Sequence, residues 1–131
     1  MTNQELINLA LEARKNSYSP YSGFRVGAAL LCRDGRVFCG ANIENASYSL
    51  TNCAERSALF AAVSAGRRDF DAIAIVGGEA DEITALCPPC GACRQALAEF
   101  SKDGALRVIL YDGKNVRETT LSALLPHNFS L

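Results

Sequence analysis

Two short cysteine-containing segments, far apart in the sequence, constrain the fold of this chain more than any other feature. Residues 53–55 read Cys-Ala-Glu and residues 89–93 read Pro-Cys-Gly-Ala-Cys. Three thiolates fill three positions around a zinc ion and leave one for water, whereas a structural zinc site normally takes four protein ligands. The two segments therefore predict one catalytic zinc ion per chain, with Glu55 placed to handle the protons of its water. The predicted ligands are Cys53, Cys90 and Cys93.

Each cysteine segment is expected at the first turn of a helix. Cys90 and Cys93 have a spacing that puts both sulfurs on one helix face, and Cys53 must come from another helix end. Free backbone N–H groups and the helix dipole favour negative charge at such ends, so they stabilise thiolates. Arg56 is predicted to donate hydrogen bonds to the sulfurs and to withdraw charge from them, with Arg94 as an alternative for the same role.

The same segments also fit three different roles, which the sequence leaves open. Cys87 and Cys90 form a C-x-x-C pair of their own, which is typical of thiol–disulfide oxidoreductases. Cys87 would instead close the zinc site as a fourth ligand, and the site would then be structural. Asn52-x-x-Glu55 also resembles a capping box, in which Glu55 only stabilises the start of a helix.

The bulk composition limits the classes of partner. The chain has 131 residues and a net charge of −1, and it shows no stripe of lysine and arginine, so we expect no binding to nucleic acid. Its length suits a single domain, 1–131. The opening residues, MTNQELINLALEARK, lack the uninterrupted apolar run of a signal peptide. No apolar stretch approaches the ~20 residues that cross a bilayer, and we therefore expect a cytoplasmic protein with no membrane contact.

The order of the predicted elements indicates an α/β fold. Strands that alternate with helices predict a mixed five-stranded sheet covered on both faces, a three-layer α/β/α sandwich. In such sheets the ligand lies at the carboxyl ends of the strands, beside helix N-termini, and both cysteine segments fall there. Cys32 and Cys39 lie within predicted strands and are expected to be core residues. The predicted elements are, in chain order, a helix over 3–15, strands over 24–32 and 37–42, a helix over 53–65, a strand over 71–76, a helix over 91–100, strands over 106–111 and 116–119, and a short helix over 121–125.

Five segments together carry a resemblance to a known family. They are 18–22 (Tyr-Ser-Pro-Tyr-Ser), 24–29 (Phe-Arg-Val-Gly-Ala-Ala), 42–46 (Asn-Ile-Glu-Asn-Ala), 53–56 (Cys-Ala-Glu-Arg) and 89–95 (Pro-Cys-Gly-Ala-Cys-Arg-Gln). In these segments the chain resembles the cytidine deaminases of the small homotetrameric type. Pro-Cys-x-x-Cys with an upstream Cys-Ala-Glu is typical of zinc deaminases as a class. The Asn-Ile-Glu-Asn segment narrows the resemblance to enzymes that act on nucleosides.

The resemblance implies roles for individual residues, beginning with proton transfer by Glu55 beside the zinc. Asn42 and Glu44 resemble the pair that binds the ribose. They lie two apart at a strand end, so their side chains can point the same way, although turn formation after the strand would also account for them. Phe24 resembles an aromatic residue that packs against the nucleoside, or else it is a core phenylalanine. The backbone around Ala54 and over residues 87–89 is expected to contact the base.

The resemblance also implies an assembly and a reaction. In the family, residues of neighbouring subunits complete each site, and Tyr48 and Phe129 are the candidates for this role in a homotetramer. The expected reaction is zinc-dependent hydrolytic deamination of cytidine and deoxycytidine to uridine or deoxyuridine plus ammonia, in pyrimidine salvage. No glycine-rich phosphate loop accompanies the motifs, so a free nucleoside is the expected substrate. The alternative is a deaminase of the same fold that acts on another cytosine nucleoside, such as a nucleoside antibiotic.

Overall fold

A five-stranded sheet forms the centre of the protein, and helices cover both of its faces. The computed structural model describes all residues, 1–131. The helices are α1 (Asn3–Arg14), α2 (Ala54–Ser64), α3 (Gly91–Ala98) and α4 (Leu121–Leu124), and a 3-10 turn covers Tyr48–Leu50. The strands are β1 (Arg25–Cys32), β2 (Val37–Ala41), β3 (Phe70–Gly78), β4 (Arg107–Tyr111) and β5 (Val116–Thr120).

The strands follow the order β2-β1-β3-β4-β5 across the sheet. β1 runs antiparallel to both β2 and β3, whereas β3 and β4 are parallel and β5 is antiparallel to β4. The predicted mixed five-stranded sheet is therefore confirmed. Because β2, β3 and β4 point the same way, their carboxyl ends lie at one edge of the sheet, which is where α/β folds bind their ligands.

Each face of the sheet has its own apolar cluster. Side chains alternate between the two faces along a strand. In β1, Leu30 packs with residues of α2, α3 and α4. Its neighbours Ala29 and Leu31 pack with residues of α1 on the other face. One helix on one side and three on the other give the predicted three-layer α/β/α sandwich.

The start of α1 follows from its local sequence. The Thr2 hydroxyl accepts a hydrogen bond from the Glu5 N–H at 3.1 Å, and the Glu5 carboxylate accepts one from the Thr2 N–H at 3.2 Å. This reciprocal capping box satisfies two backbone donors that a helix start would otherwise leave free. None of the helices has both the length and the apolar character that crossing a membrane requires.

The prediction that both strand cysteines are core residues is only half right. Cys32 is buried in β1, whereas Cys39 is exposed in β2. β2 is an edge strand, and Phe38 is its residue that packs against the larger apolar cluster. Cys39 alternates with Phe38 and therefore lies on the other face of the strand. Cys39 is exposed because β2 lies at the edge of the sheet. An apolar stretch of sequence does not show whether a strand lies at the edge or in the centre.

Helix α2 lies directly on the backbone of β2. A Cβ atom on Gly40 would lie 2.5 Å from the backbone nitrogen of Ala58 and 2.7 Å from the carbonyl oxygen of Ala54. Only glycine permits this approach, because any larger residue would collide with helix backbone. The contact places the first turn of α2 at the edge of the sheet where β2 ends.

Candidate active site

Three cysteine sulfurs meet at the carboxyl edge of the sheet. The Sγ atoms of Cys53, Cys90 and Cys93 all lie within 4.8 Å of one another, and those of Cys53 and Cys90 are 3.8 Å apart. Tetrahedral zinc with Zn–S bonds of about 2.3 Å places its sulfur ligands about 3.8 Å apart. The spacing therefore fits a zinc ion, and no fourth His, Cys, Asp or Glu side chain belongs to the group.

Both helices begin at these cysteines. Cys53 is the N-cap residue of α2 and Cys90 is the N-cap residue of α3, while Cys93 lies in the first turn of α3. Neither N-cap side chain bonds to the helix backbone. The sulfurs are thus held where two helix dipoles present their positive ends, and this position stabilises thiolates.

A capping-box role for Glu55 does not fit the structure. The N-cap of α2 is Cys53, not Asn52, and no reciprocal capping pair forms. The Asn52 side-chain amide instead donates to the Ser57 hydroxyl at 3.2 Å. The side chain of Glu55 is consequently free for a role other than stabilising the start of the helix.

Arg56 lies against the sulfur cluster as the sequence predicted. Its Nη2 donates to the Cys53 sulfur at 3.4 Å. Hydrogen bonds from Cys93 and from Arg56 lower the pKa of Cys53 to about 5. The pKa of Cys93 rises, because Cys93 donates a hydrogen bond to Cys53 and is itself buried. If all three sulfurs lose their protons, one guanidinium cannot neutralise them, so a cation bound to the three thiolates would complete the charge balance.

Arg94 does not share the role of Arg56. Its Nε donates to the carbonyl oxygen of Pro89 and its Nη1 to that of Leu124, each at 2.7 Å. The alternative that Arg94 bonds to a sulfur is therefore wrong. Arg94 follows Cys93 on α3, and its side chain bonds to the loop before Cys90 and to the end of α4.

A cavity of about 190 Å³ opens beside the sulfur cluster. Glu55 lines this cavity and is only 4% exposed, and burial raises the pKa of its carboxyl group. A carboxyl group with a raised pKa is suited to both accept and donate a proton near neutral pH. The other lining residues are Val26, Asn42, Thr51, Asn52, Cys53, Ala54, Cys87, Pro88 and Cys90.

Cys87 lines the cavity but does not join the sulfur cluster. The closed four-cysteine site therefore finds no support. Burial, together with the nearby charges of Glu55 and Cys53, raises the pKa of Cys87 to about 11. Thiol–disulfide exchange requires the thiolate, so this thiol is poorly suited to an oxidoreductase.

The structure holds Asn42 and Glu44 by different bonds. Asn42 is 8% exposed, and its Oδ1 accepts from the Val26 N–H at 2.9 Å while its Nδ2 donates to the Phe24 carbonyl at 2.8 Å. Glu44 accepts hydrogen bonds from the hydroxyl and N–H of Ser22 and from the Tyr21 N–H. The hydroxyl of Ser22 is the main cause of its lowered pKa, so Glu44 is ionised.

The predicted aromatic residues are exposed. Phe24 is 39% exposed, which excludes the core alternative, and its ring lies near Gly77 beside the cavity-lining Val26 and Cys87. Tyr48 is 78% exposed and Phe129 is 69% exposed. Neither of these two lines the cavity within one chain.

A comparison with models of protein families identifies a family in which such a zinc site is expected. The chain matches the model of the cytidine and deoxycytidylate deaminase zinc-binding region over residues 1–110. The chain belongs to this family. Zinc is thus the metal that the three-sulfur cluster of this deaminase takes, and the sulfur spacing agrees with it.

Individual deaminases resemble the chain over nearly its whole length. A cytidine deaminase of Halalkalibacterium halodurans is 52% identical over 130 residues, which are 99% of this chain and 96% of that protein. The crystal structure of a cytidine deaminase from Burkholderia pseudomallei is 51% identical, with a TM-score of 0.90, and the match covers 98% of this chain and 100% of that one. A blasticidin-S deaminase of Bacillus cereus is more distant, at 32% identity over 130 residues, 96% of this chain and 91% of that protein.

Several residues around the deaminase site were not found from the sequence. Val26 and Thr51 line the cavity. The hydroxyls of Ser17 and Ser22 hold Asn42 and Glu44 respectively. The serines lie in the irregular segment after α1. Ser22 belongs to the motif over 18–22, but no sequence pattern shows that the two hydroxyls bond to Asn42 and Glu44.

Proposed function

We propose that this protein is a zinc-dependent cytidine deaminase that converts cytidine and deoxycytidine to uridine or deoxyuridine and ammonia. One observation supports this proposal above the others: a buried carboxyl group, that of Glu55, shares a small cavity with the three-sulfur cluster. Because the cluster offers three ligands, a bound zinc ion would keep a fourth position for water, as catalytic zinc does.

The zinc, bound by Cys53, Cys90 and Cys93, supplies Lewis-acid chemistry that makes water a nucleophile at neutral pH. Glu55 accepts a proton from the attacking water and delivers it to N3 of the cytosine ring, while the water oxygen bonds to C4. Glu55 then carries the remaining proton of that oxygen to the exocyclic amine, which leaves as ammonia. Its burial supports this role, because a raised pKa lets the carboxyl group hold each proton between the two transfers.

We propose that Asn42 and Glu44 bind the ribose. The Asn42 amide uses one of its N–H groups on the Phe24 carbonyl and keeps the other for a ligand. The ionised Glu44 offers a charged acceptor for a sugar hydroxyl. Phe24, exposed beside the cavity, is proposed to pack against the nucleoside, and the backbone at Ala54 to contact the base.

The substrate is proposed to be a nucleoside without phosphate. No lysine or arginine lines the cavity, so nothing in it would balance the charge of a phosphate group. We further propose that residues 1–131 act as one catalytic domain and that the protein works in the cytoplasm, in pyrimidine salvage.

We propose a homotetramer in which Tyr48 and Phe129 complete the sites of neighbouring subunits. Both rings are exposed, as is Tyr21, which packs edge-to-face with Tyr48 at 6.3 Å between ring centroids. Exposed aromatic rings of this kind are enriched at interfaces between proteins. Sedimentation of the purified protein measures the assembly directly.

The test of the proposed function replaces Glu55 with alanine. We expect E55A to bind one zinc ion per chain and to remain folded, while kcat for cytidine falls by roughly 10²–10⁴-fold because the proton carrier is lost. The assay follows the absorbance of cytidine, deoxycytidine, their monophosphates and blasticidin S, with metal content measured on the same samples. E82A, which removes an exposed carboxylate away from the cavity, is the matched control.

Two results would reject the proposal. One is an E55A variant that deaminates cytidine as fast as the wild type. The other is a wild-type protein that prefers a monophosphate or blasticidin S to cytidine, which would reject the proposed substrate while leaving the zinc chemistry in place.

A further inference from the structure

We propose that Arg94 is a positioning residue for the zinc site, which ties the loop before Cys90 to the C-terminal helix α4. The half-buried guanidinium bridges two backbone carbonyl groups, those of Pro89 and Leu124, at 2.7 Å each. It contacts none of the three sulfurs. The inference rests on the proposed zinc ligands and concerns how one of them is held.

The hydrogen bond from Arg94 to the Pro89 carbonyl also orients Cys90, because a planar peptide group joins the two residues. A peptide group is planar, so fixing the carbonyl oxygen of Pro89 also fixes the orientation of the Cys90 nitrogen to which it is joined. Pro89 is itself fully buried, and a buried carbonyl group without a partner would be costly. Arg94 therefore satisfies this carbonyl and sets the direction in which the chain enters the N-cap position of α3.

The bond to Leu124 anchors the guanidinium at its other end. Leu124 is the last residue of α4, where carbonyl groups have no partner within the helix. Gln95, the next residue on α3, donates to the carbonyl of Phe129 at 3.5 Å. Arg94 and Gln95 on α3 therefore both bond to the C-terminal segment, and the bond from Arg94 is the shorter of the two.

Arginine is the residue that this geometry requires. Its planar guanidinium presents several N–H donors in a fixed fork, whereas a lysine ammonium is a single charged group on a flexible chain. Arg94 uses two separate nitrogen atoms for the two carbonyls. Lysine at this position can satisfy one carbonyl group but cannot hold both in the same fixed relation. The two arginines near the site therefore have different roles. Arg56 bonds to the sulfur of the ligand Cys53, and Arg94 orients the backbone that carries the ligand Cys90.

The test measures zinc affinity by competition with a chromogenic chelator in the wild type, R94Q, R94K and R117Q. Arg117 is exposed on β5 and serves as the matched control for loss of an arginine. Loss of a group that orients a metal ligand typically costs 10–100-fold in metal affinity. We expect a loss of about that size in R94Q, a smaller loss in R94K and none in R117Q. The cobalt-substituted R94Q should also show a visible spectrum different from that of the wild type.

Thermal unfolding of the zinc-free proteins checks that each variant is folded under the conditions of the zinc titration. Zinc-free R94Q is expected to unfold at a lower temperature than the zinc-free wild type, because the Pro89 carbonyl loses its partner, but to be folded at the temperature of the titration. The changed cobalt spectrum of the folded R94Q protein then separates positioning of the ligand from a merely structural role. The inference is overturned if R94Q binds zinc as tightly as the wild type with the same cobalt spectrum, or if R94K loses as much affinity as R94Q. If R94Q weakens zinc binding but the wild type does not deaminate cytidine, the inference stands and the proposed function fails. A wild-type protein that binds no zinc overturns both.

Discussion

Replacing Gly40 with alanine is expected to disturb the active site without touching it. Gly40 lies in β2 beneath the first turns of α2, and the new Cβ atom would meet the Ala58 nitrogen at 2.5 Å. The Ala54 carbonyl oxygen, at 2.7 Å, belongs to the same helix backbone. Backbone atoms cannot rotate aside as a side chain can, so α2 must move away from the sheet as a unit.

The size of this movement follows from the distances. Ordinary contact begins at 3.4 Å, so the Ala58 nitrogen must retreat by about 0.9 Å. Overpacking of this kind costs about 1–3 kcal/mol, more than the roughly 0.5–1 kcal/mol that alanine gains over glycine in a strand. The same helix carries Cys53 and Glu55 but not Cys90. A misplacement of about 1 Å lowers a reaction rate by roughly 10²-fold.

We therefore expect G40A to fold with reduced stability, to bind zinc more weakly and to show kcat/KM for cytidine about 100-fold below that of the wild type. Spectrophotometric deaminase assays, metal analysis and thermal unfolding measure the three effects. The matched control is G78A, because the nearest atom to a Cβ at that position is the Arg14 Nη2 at 4.0 Å. A G40A protein with the zinc content and kcat/KM of the wild type would refute the reasoning, since α2 would then have no fixed position on the sheet.

Two further substitutions test single contacts of the site. R56Q removes the hydrogen bond from Nη2 to the Cys53 sulfur, and zinc affinity measured by chelator competition should fall by about 10–100-fold; an unchanged affinity would show that the bond does not support the metal. E44Q keeps the shape of the side chain but removes the charge that Ser22 and Tyr21 hold in place. KM for cytidine should rise by about tenfold or more with little change in kcat, because a hydrogen bond to a charged group contributes roughly 1.5–3 kcal/mol; a fall in kcat alone would contradict a ribose-binding role.

The grouping of Cys53, Cys90 and Cys93 could be predicted from the sequence because zinc restricts the residues that bind it. Zinc accepts few ligand types, and the spacing of Cys90 and Cys93 already implied one helix face. The elements were also predictable, since apolar periodicity differs between helices and strands. The observed ends of the elements differ from the predicted ends by only one or two residues. The difference is largest for β3, which was predicted over 71–76 and extends over Phe70–Gly78.

Features that depend on how the elements pack together could not be predicted in this way. The exposure of Cys39 depends on β2 being an edge strand, and the bonds of Arg94 depend on where two distant carbonyl groups lie. Neither property leaves a pattern in the sequence. Glu55 satisfied two patterns at once, a capping box and a deaminase motif, and the N-cap position of Cys53 excludes the first.

The sulfur cluster joins the starts of two helices, α2 and α3, that lie far apart in the sequence. Cys53 and Cys90 are 37 residues apart, and the whole of β3 lies between them. A bound ion would consequently hold the starts of α2 and α3 together, and neither helix could detach without releasing it. Any agent that binds only the folded form raises its stability by mass action, so removal of zinc is expected to lower the unfolding temperature of this protein as well as its activity.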